Sequence, residues 1–156
     1  MSADTPGRVL LVDSFDDCDM YAEYLRVAGL VVLAAEAPDA AIRLIGSGGC
    51  DVVITDLVFA KGDMAGAPFI RELRDLVGEA TSIIVISGYV RQEDREEARA
   101  AGADLFLIKP ALPSAVLLEV RRALLLRQRG RRLAWNWRDL PLAASAHRAR
   151  RRPRAS

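Results

Sequence analysis

Histidine is almost missing from this sequence: the single one, His147, stands near the C-terminus. A histidine-based metal centre or a histidine phosphocarrier is therefore not expected in the body of the chain. Cysteine is nearly as scarce. Cys18 and Cys50 stand alone, without CxxC spacing, and read as reduced, partly buried thiols of a cytoplasmic protein. No apolar run approaches the ~20 residues that span a bilayer. The opening Met-Ser-Ala-Asp-Thr-Pro-Gly lacks the basic and apolar regions of a secretion signal, so no membrane association is expected. The sequence also lacks a GxxxxGK phosphate loop and a GxGxxG after its first strand. An enzyme such as a phosphatase or nucleotide-dependent hydrolase has no motif to support it, and a non-enzymatic role is expected.

Acidic residues are missing from one stretch in particular. Residues 121–156 hold 12 arginines and one acid, Asp139, for a net charge of +11, whereas residues 1–120 hold 20 acids and 10 bases, for −10. The overall +1 conceals this split. It implies two segments with different partners, or a tail that folds back on an acidic body. Half of the chain is hydrophobic (51%), enough for one real core. The expected organisation is a domain over 1–128 followed by an arginine-rich extension, 129–156, that is partly disordered.

Along the domain, apolar runs alternate with helical patterns. Arg8–Val12 reads as a buried parallel strand ending at Asp13. Asp16 and Asp17 suit the first turn of a helix carrying Met20, Tyr21, Tyr24, Leu25 and Ala28, closed by Gly29. Leu30–Ala35 is a second strand. A short helix from Pro38 to Ile45 is broken by Gly46-Ser-Gly-Gly49. Strand three is Asp51–Asp56, followed by a loop through Gly66 and a helix with Phe69, Ile70, Leu73 and Leu76 on one face. Strand four, Ser82–Ser87, precedes a charged helix from Arg91 to Ala101. Strand five is Asp104–Ile108, and a last helix runs from about Ser114 to Gln128. Five strands alternating with five helices predict an α/β fold with a parallel sheet covered on both faces.

In such sheets, ligands bind at the carboxyl ends of the strands. Strand one ends at Asp13, strand three at Asp56, strand four at Ser87 and strand five at Lys109. Polar residues also mark where any strand leaves a core, but these four types together suggest acyl-phosphate formation. Asp56 is the candidate nucleophile toward a phosphoryl donor, and a cation must neutralise the approach of two anions. Asp13 and Asp56 offer oxygen ligands of the kind Mg²⁺ takes. Ser87 can donate a hydrogen bond to a phosphoryl oxygen, and Lys109 can pair with another.

Val-Leu-Leu-Val-Asp13, Asp-Val-Val-Ile-Thr-Asp56-Leu, Ile-Val-Ile-Ser87-Gly and Ala-Gly-Ala-Asp-Leu-Phe-Leu-Ile-Lys109-Pro110 occur in that order over residues 8 to about 127. With these motifs the chain resembles the receiver domain of two-component response regulators, in a single-domain form like the chemotaxis regulators. The resemblance implies a flavodoxin-like doubly wound fold with strand order 2-1-3-4-5. That order is carried by the resemblance alone and does not follow from the residue pattern. It also implies phosphorylation on Asp56, with Mg²⁺ held by Asp13, Asp56 and the Val58 carbonyl. Ser87 and Phe106 would be the switch pair, and Lys109 the conserved-type lysine. The implied partner is a sensor histidine kinase or phosphotransfer protein.

Two departures from the family pattern stand out. Ser14 occupies the place of a second acid after strand one, which is expected to weaken Mg²⁺ binding. Asp16 and Asp17 could compensate, although a helix-capping role suits them better. The loop after Asp56 reads Phe59-Ala60 and Asp63-Met-Ala-Gly66, about two residues longer than usual. These departures leave open a second reading, a phosphorylation-independent pseudo-receiver that serves as a protein-binding module.

The last helix, with Val116, Leu117, Leu118, Val120 and Ala123–Leu126, is too apolar to have one buried face. A homodimer through helix 4, strand 5 and helix 5 is expected, with Asp104 pairing with Arg121 or Arg122. The extension carries Trp135, Trp137, Leu140 and the basic run from Arg148 to Arg154. Three roles are open to it: a solvated end, contact with nucleic acid or another acidic partner through Arg and Trp, or packing of its tryptophans on the domain.

Overall fold

A computed structural model describes residues 5–14, 17–59, 65–88 and 91–134. The elements are β1 (Arg8–Val12), α1 (Asp17–Val27), β2 (Val31–Ala35), α2 (Pro38–Gly48), β3 (Val52–Thr55), α3 (Gly66–Val77), β4 (Ser82–Ser87), α4 (Gln92–Ala101), β5 (Leu105–Ile108) and α5 (Pro113–Gln128). The five strands form one parallel sheet in the order β2-β1-β3-β4-β5, the flavodoxin-like arrangement expected.

Successive residues of a strand point to opposite faces, and the sheet divides its apolar side chains accordingly. Val9, Leu11, Val52, Ile54, Ile84, Ile86, Leu105 and Leu107 face α1 and α5. Leu10, Val12, Val53, Ile83, Val85 and Phe106 face α2, α3 and α4. All six residues of β4 are buried, so both faces of this strand are covered. Each large aliphatic side chain so buried contributes about 1.5–3 kcal/mol. The two free thiols are buried on different sides of the sheet, Cys18 in the first core and Cys50 in the second. Burial, helped by the neighbouring Asp51 carboxylate, pushes the Cys50 thiol up to about 11.

Three local expectations change. α2 continues through Gly46 and Gly48 and stops at Gly49, which takes a left-handed φ of 67° and returns its N–H to the Ile45 carbonyl. Glycine weakens a helix without ending it, so the stop falls where the chain must turn. α3 starts at Gly66, inside the segment expected as loop. Leu76, expected on the buried face of α3, is 48% exposed, at the rim of a cleft between α2 and α3 lined by Ile45, Cys50 and Val77.

The expected boundary at residue 128 is not where contact with the body ends. After α5 the chain turns at Gly130, with φ of 66°, and runs beneath the amino ends of β4 and β5. Leu133 is buried in the core under α1 and α5, and its N–H donates to Ser82 Oγ at 2.8 Å. Arg132 reaches Asp104 Oδ1 at 2.8 Å and Glu79 Oε2 at 2.7 Å. Trp135, Trp137, Leu140, His147 and the basic run from Arg148 to Arg154 lie outside the described residues.

Candidate functional site

The carboxyl edge of the sheet gathers the residues singled out above. β1 leads directly into Asp13 and β3 into Asp56, while β4 closes on Ser87 and β5 is followed at once by Lys109. Parallel pairing in register sets their heights: Val12 lies opposite Thr55, and Ser87 opposite Ile108. Residues far apart in sequence are thus brought to one edge by backbone hydrogen bonding alone.

Their side chains form one connected network. Lys109 Nζ donates to Asp13 Oδ2 at 2.8 Å and to Asp56 Oδ2 at 2.9 Å. Ser87 Oγ donates to Asp56 Oδ1 at 2.6 Å. The same oxygen accepts the backbone N–H of Leu57 at 2.6 Å and of Val58 at 3.1 Å. Sequence reasoning missed these two amides, because a backbone donor leaves no trace in residue identity. Asp13, Asp56 and Ser87 are each at most 3% exposed. Two carboxylates so withdrawn from water require compensation, and the lysine supplies it. Burial disfavours the Lys109 charge, yet its hydrogen bonds to Asp13 and Asp56 outweigh that and raise its pKa above the ordinary lysine value.

Phe106 is fully buried, its position in β5 paired with Val85, on the side of the sheet that packs on α2–α4. It therefore stands inward while the Ser87 hydroxyl is engaged by Asp56. Val58 is half-buried, two residues beyond Asp56, at the same edge. Ser14 is half-buried beside Asp13 and adds no charge to the pocket. Asp16, the Asp17 side chain and the loop residues Ala60–Met64 lie outside the described residues. Among the described residues, no three acids, histidines or cysteines cluster as a ready metal cage. The side-chain donors gathered here are the carboxylates of Asp13 and Asp56. These are hard oxygen ligands, which fit a Mg²⁺ ion that keeps several waters.

One expectation about the other end of the domain does not hold. Asp104 is not available to pair with a second copy. It is 5% exposed and turned inward, bonded to Arg74 at 2.6 Å, to Arg132 and to the Ile83 N–H at 2.9 Å. Arg122 pairs with Glu119 one helical turn away but stays exposed.

The family model of the response regulator receiver domain matches residues 9–121. The chain belongs to this family. Receiver domains are signalling modules of two-component systems and interact with histidine kinases or phosphotransfer proteins. A CheY-like receiver domain protein from Methanospirillum hungatei superposes with a TM-score of 0.75 at 22% identity, over 81% of this chain and 99% of that one. The chemotaxis protein CheY4 of Vibrio cholerae gives 0.68 at 24%, over 76% and 99%. NtrX of Brucella abortus gives 0.72 at 24%, over 81% of this chain but only 28% of that one. No curated protein matches. Among the described residues of this receiver domain, no helix is long and apolar enough to cross a membrane.

Proposed function

We propose that this receiver domain is a phosphoacceptor response regulator, phosphorylated on Asp56 by a sensor histidine kinase or phosphotransfer protein, and that it signals through protein contacts. The observation that carries the reading is the state of the Asp56 carboxylate. It is buried and held by Ser87 on one oxygen and by Lys109 on the other. Oδ1 already accepts three hydrogen bonds, so it is fixed in place. Among the described residues Oδ2 has the Lys109 ammonium as its donor, and it keeps lone pairs for a phosphorus atom. Attack by Oδ2 forms the O–P bond as the P–N bond to the donor imidazole breaks, and the electron pair leaves on nitrogen.

Asp13, Asp56 and the Val58 carbonyl would hold Mg²⁺, which supplies charge neutralisation between the two anions when bound. Lys109, bonded to both carboxylates, would offset part of the same charge. The Ser87 hydroxyl, which donates to Oδ1, would transfer its hydrogen bond to a phosphoryl oxygen, with the fully buried Phe106 as its switch partner. Cytoplasmic residence agrees with two free thiols.

Incubation with Mg²⁺ and acetyl phosphate or phosphoramidate, read by intact mass, tests the proposal. One added phosphoryl group that is absent in Asp56→Asn is the expected result. Ser14 favours a second reading, a phosphorylation-independent binding module with one carboxylate too few. No adduct and no Mg²⁺-dependent change in melting temperature would decide for it.

A further inference from the structure

We infer that the outer face of α1 and α5 is a homodimer interface, in which α1 of one copy packs on α5 of the other. The inference stands apart from phosphorylation and relocates the dimer surface that the apolar last helix suggested. Eight large hydrophobic residues are exposed among the described residues, and six belong to these two helices or the α5 N-cap. They are Met20, Tyr24, Val27, Leu112, Leu118 and Leu125. Met20, Tyr24 and Val27 repeat at i, i+4 and i+7, which makes one stripe on α1. Leu118 and Leu125 lie seven residues apart, on one stripe of α5.

Both stripes lie outward of the groove where the helices meet. The Tyr21 hydroxyl donates to the Ala111 carbonyl just before α5, at 2.7 Å, so Tyr21 is on the α5 side of α1. Tyr24, three residues on, is on that side and further out. On α5, Leu124 packs against Gly7 ahead of β1, which marks its α1 side. Leu125 is one step outward from it. Exposed apolar residues gathered on one face, rather than scattered singly, mark an interaction surface.

The expected surface on α4 offers no such face. Its exposed residues are Gln92, Glu93, Glu96, Glu97, Arg99 and Ala100, almost all charged or polar. Asp104 beneath it is already paired internally.

Charge points to a second copy as the occupant. Glu23 on α1 and Arg121 on α5 are both exposed on the outer face, and neither has an ion-pair partner among the described residues. The face thus carries its acid on one helix and its base on the other. A two-fold axis running along the helices sets α1 over α5 and α5 over α1, so Glu23 meets Arg121 twice. Such self-complementarity is what an isologous interface requires.

Sedimentation equilibrium of the full chain over a range of concentrations tests this. A dimer mass is expected, with association weakened at least tenfold by Leu118→Lys together with Leu125→Lys. These residues are exposed, so the variant should keep its circular dichroism spectrum. The single changes Glu23→Arg and Arg121→Glu should each weaken the dimer, and the double exchange should restore it. That restoration would not arise from misfolding. A chain monomeric at every concentration overturns the inference, and so does a dimer indifferent to these changes. A dimer that survives them but is lost on removing residues 135–156 assigns the contact to the extension instead, which also overturns it.

Discussion

The Ser87 hydroxyl lies 2.6 Å from Asp56 Oδ1, and both residues are all but sealed from solvent. One bond therefore joins the end of β4 to the carboxylate after β3. Removing it by Ser87→Ala leaves Oδ1 with its two backbone donors, so the carboxylate is not orphaned. The stability cost is then that of one satisfied hydrogen bond, about 1 kcal/mol. Phosphoryl uptake on Asp56 should slow without stopping. A urea midpoint and a time course by intact mass check both. Unchanged uptake in Ser87→Ala would remove Ser87 from the transfer step.

Lys109 is the cation of a buried group with two carboxylates, and its folded pKa is raised by its hydrogen bonds to Asp13 and Asp56 against the opposing effect of burial. A raised folded value means the contribution is fully present below the unfolded lysine value, about 10.4. It is lost as pH rises through the folded value. Stability from this group should hold steady from neutrality to about pH 10 and fall at more alkaline pH. Lys109→Met should abolish that alkaline fall. Asp13 and Asp56 are then left together without their cation, at a cost of roughly 3 kcal/mol at neutral pH. Melting temperatures of the two proteins across pH give the comparison, and parallel profiles would contradict the role given to Lys109.

The strand ends carried the site into view because parallel register converts distant sequence positions into neighbours. Asp13, Asp56, Ser87 and Lys109 each follow or close an apolar run, and β-sheet geometry does the rest. Asp104 misled for a related reason. It also borders a strand, but at the amino end of β5, where Arg74 and Arg132 claim it. Neither partner is adjacent in sequence, so nothing local distinguished a buried acid from an exposed one. Leu133 was hidden in an arginine-rich context whose composition resembles a solvated end. Its burial depends on a turn at Gly130 that composition does not reveal.

That strap makes the first residues of the extension part of the domain. Truncation after Gly130 removes a buried leucine worth about 2 kcal/mol. It also removes the hydrogen bond to Ser82, about 1 kcal/mol, and frees one oxygen of the buried Asp104. Truncation after Ala134 keeps all three. The first variant should therefore unfold at lower urea, by roughly 3 kcal/mol relative to the second. Equal midpoints would mean that Leu133 contributes nothing to the core. The contacts also fix where the extension departs, at the amino edge of the sheet and away from Asp56.

On the proposed function, Ser14 is the residue expected to weaken Mg²⁺ binding and with it phosphoryl uptake. It adjoins Asp13 at the carboxyl edge, where a third carboxylate would add a charge for a divalent cation. Ser14→Asp should tighten Mg²⁺ binding by about tenfold, the effect of roughly 1.4 kcal/mol of added attraction. Without the ion the variant should be less stable than the native chain, because a further negative charge joins Asp13 and Asp56 beside the Lys109 ammonium. Adding Mg²⁺ should reverse that order. Calorimetric titration and melting curves with and without the ion read the two effects separately. Phosphoryl uptake from acetyl phosphate should rise in step with the affinity. If Mg²⁺ affinity and uptake both stay at native levels, the serine is not what limits this pocket.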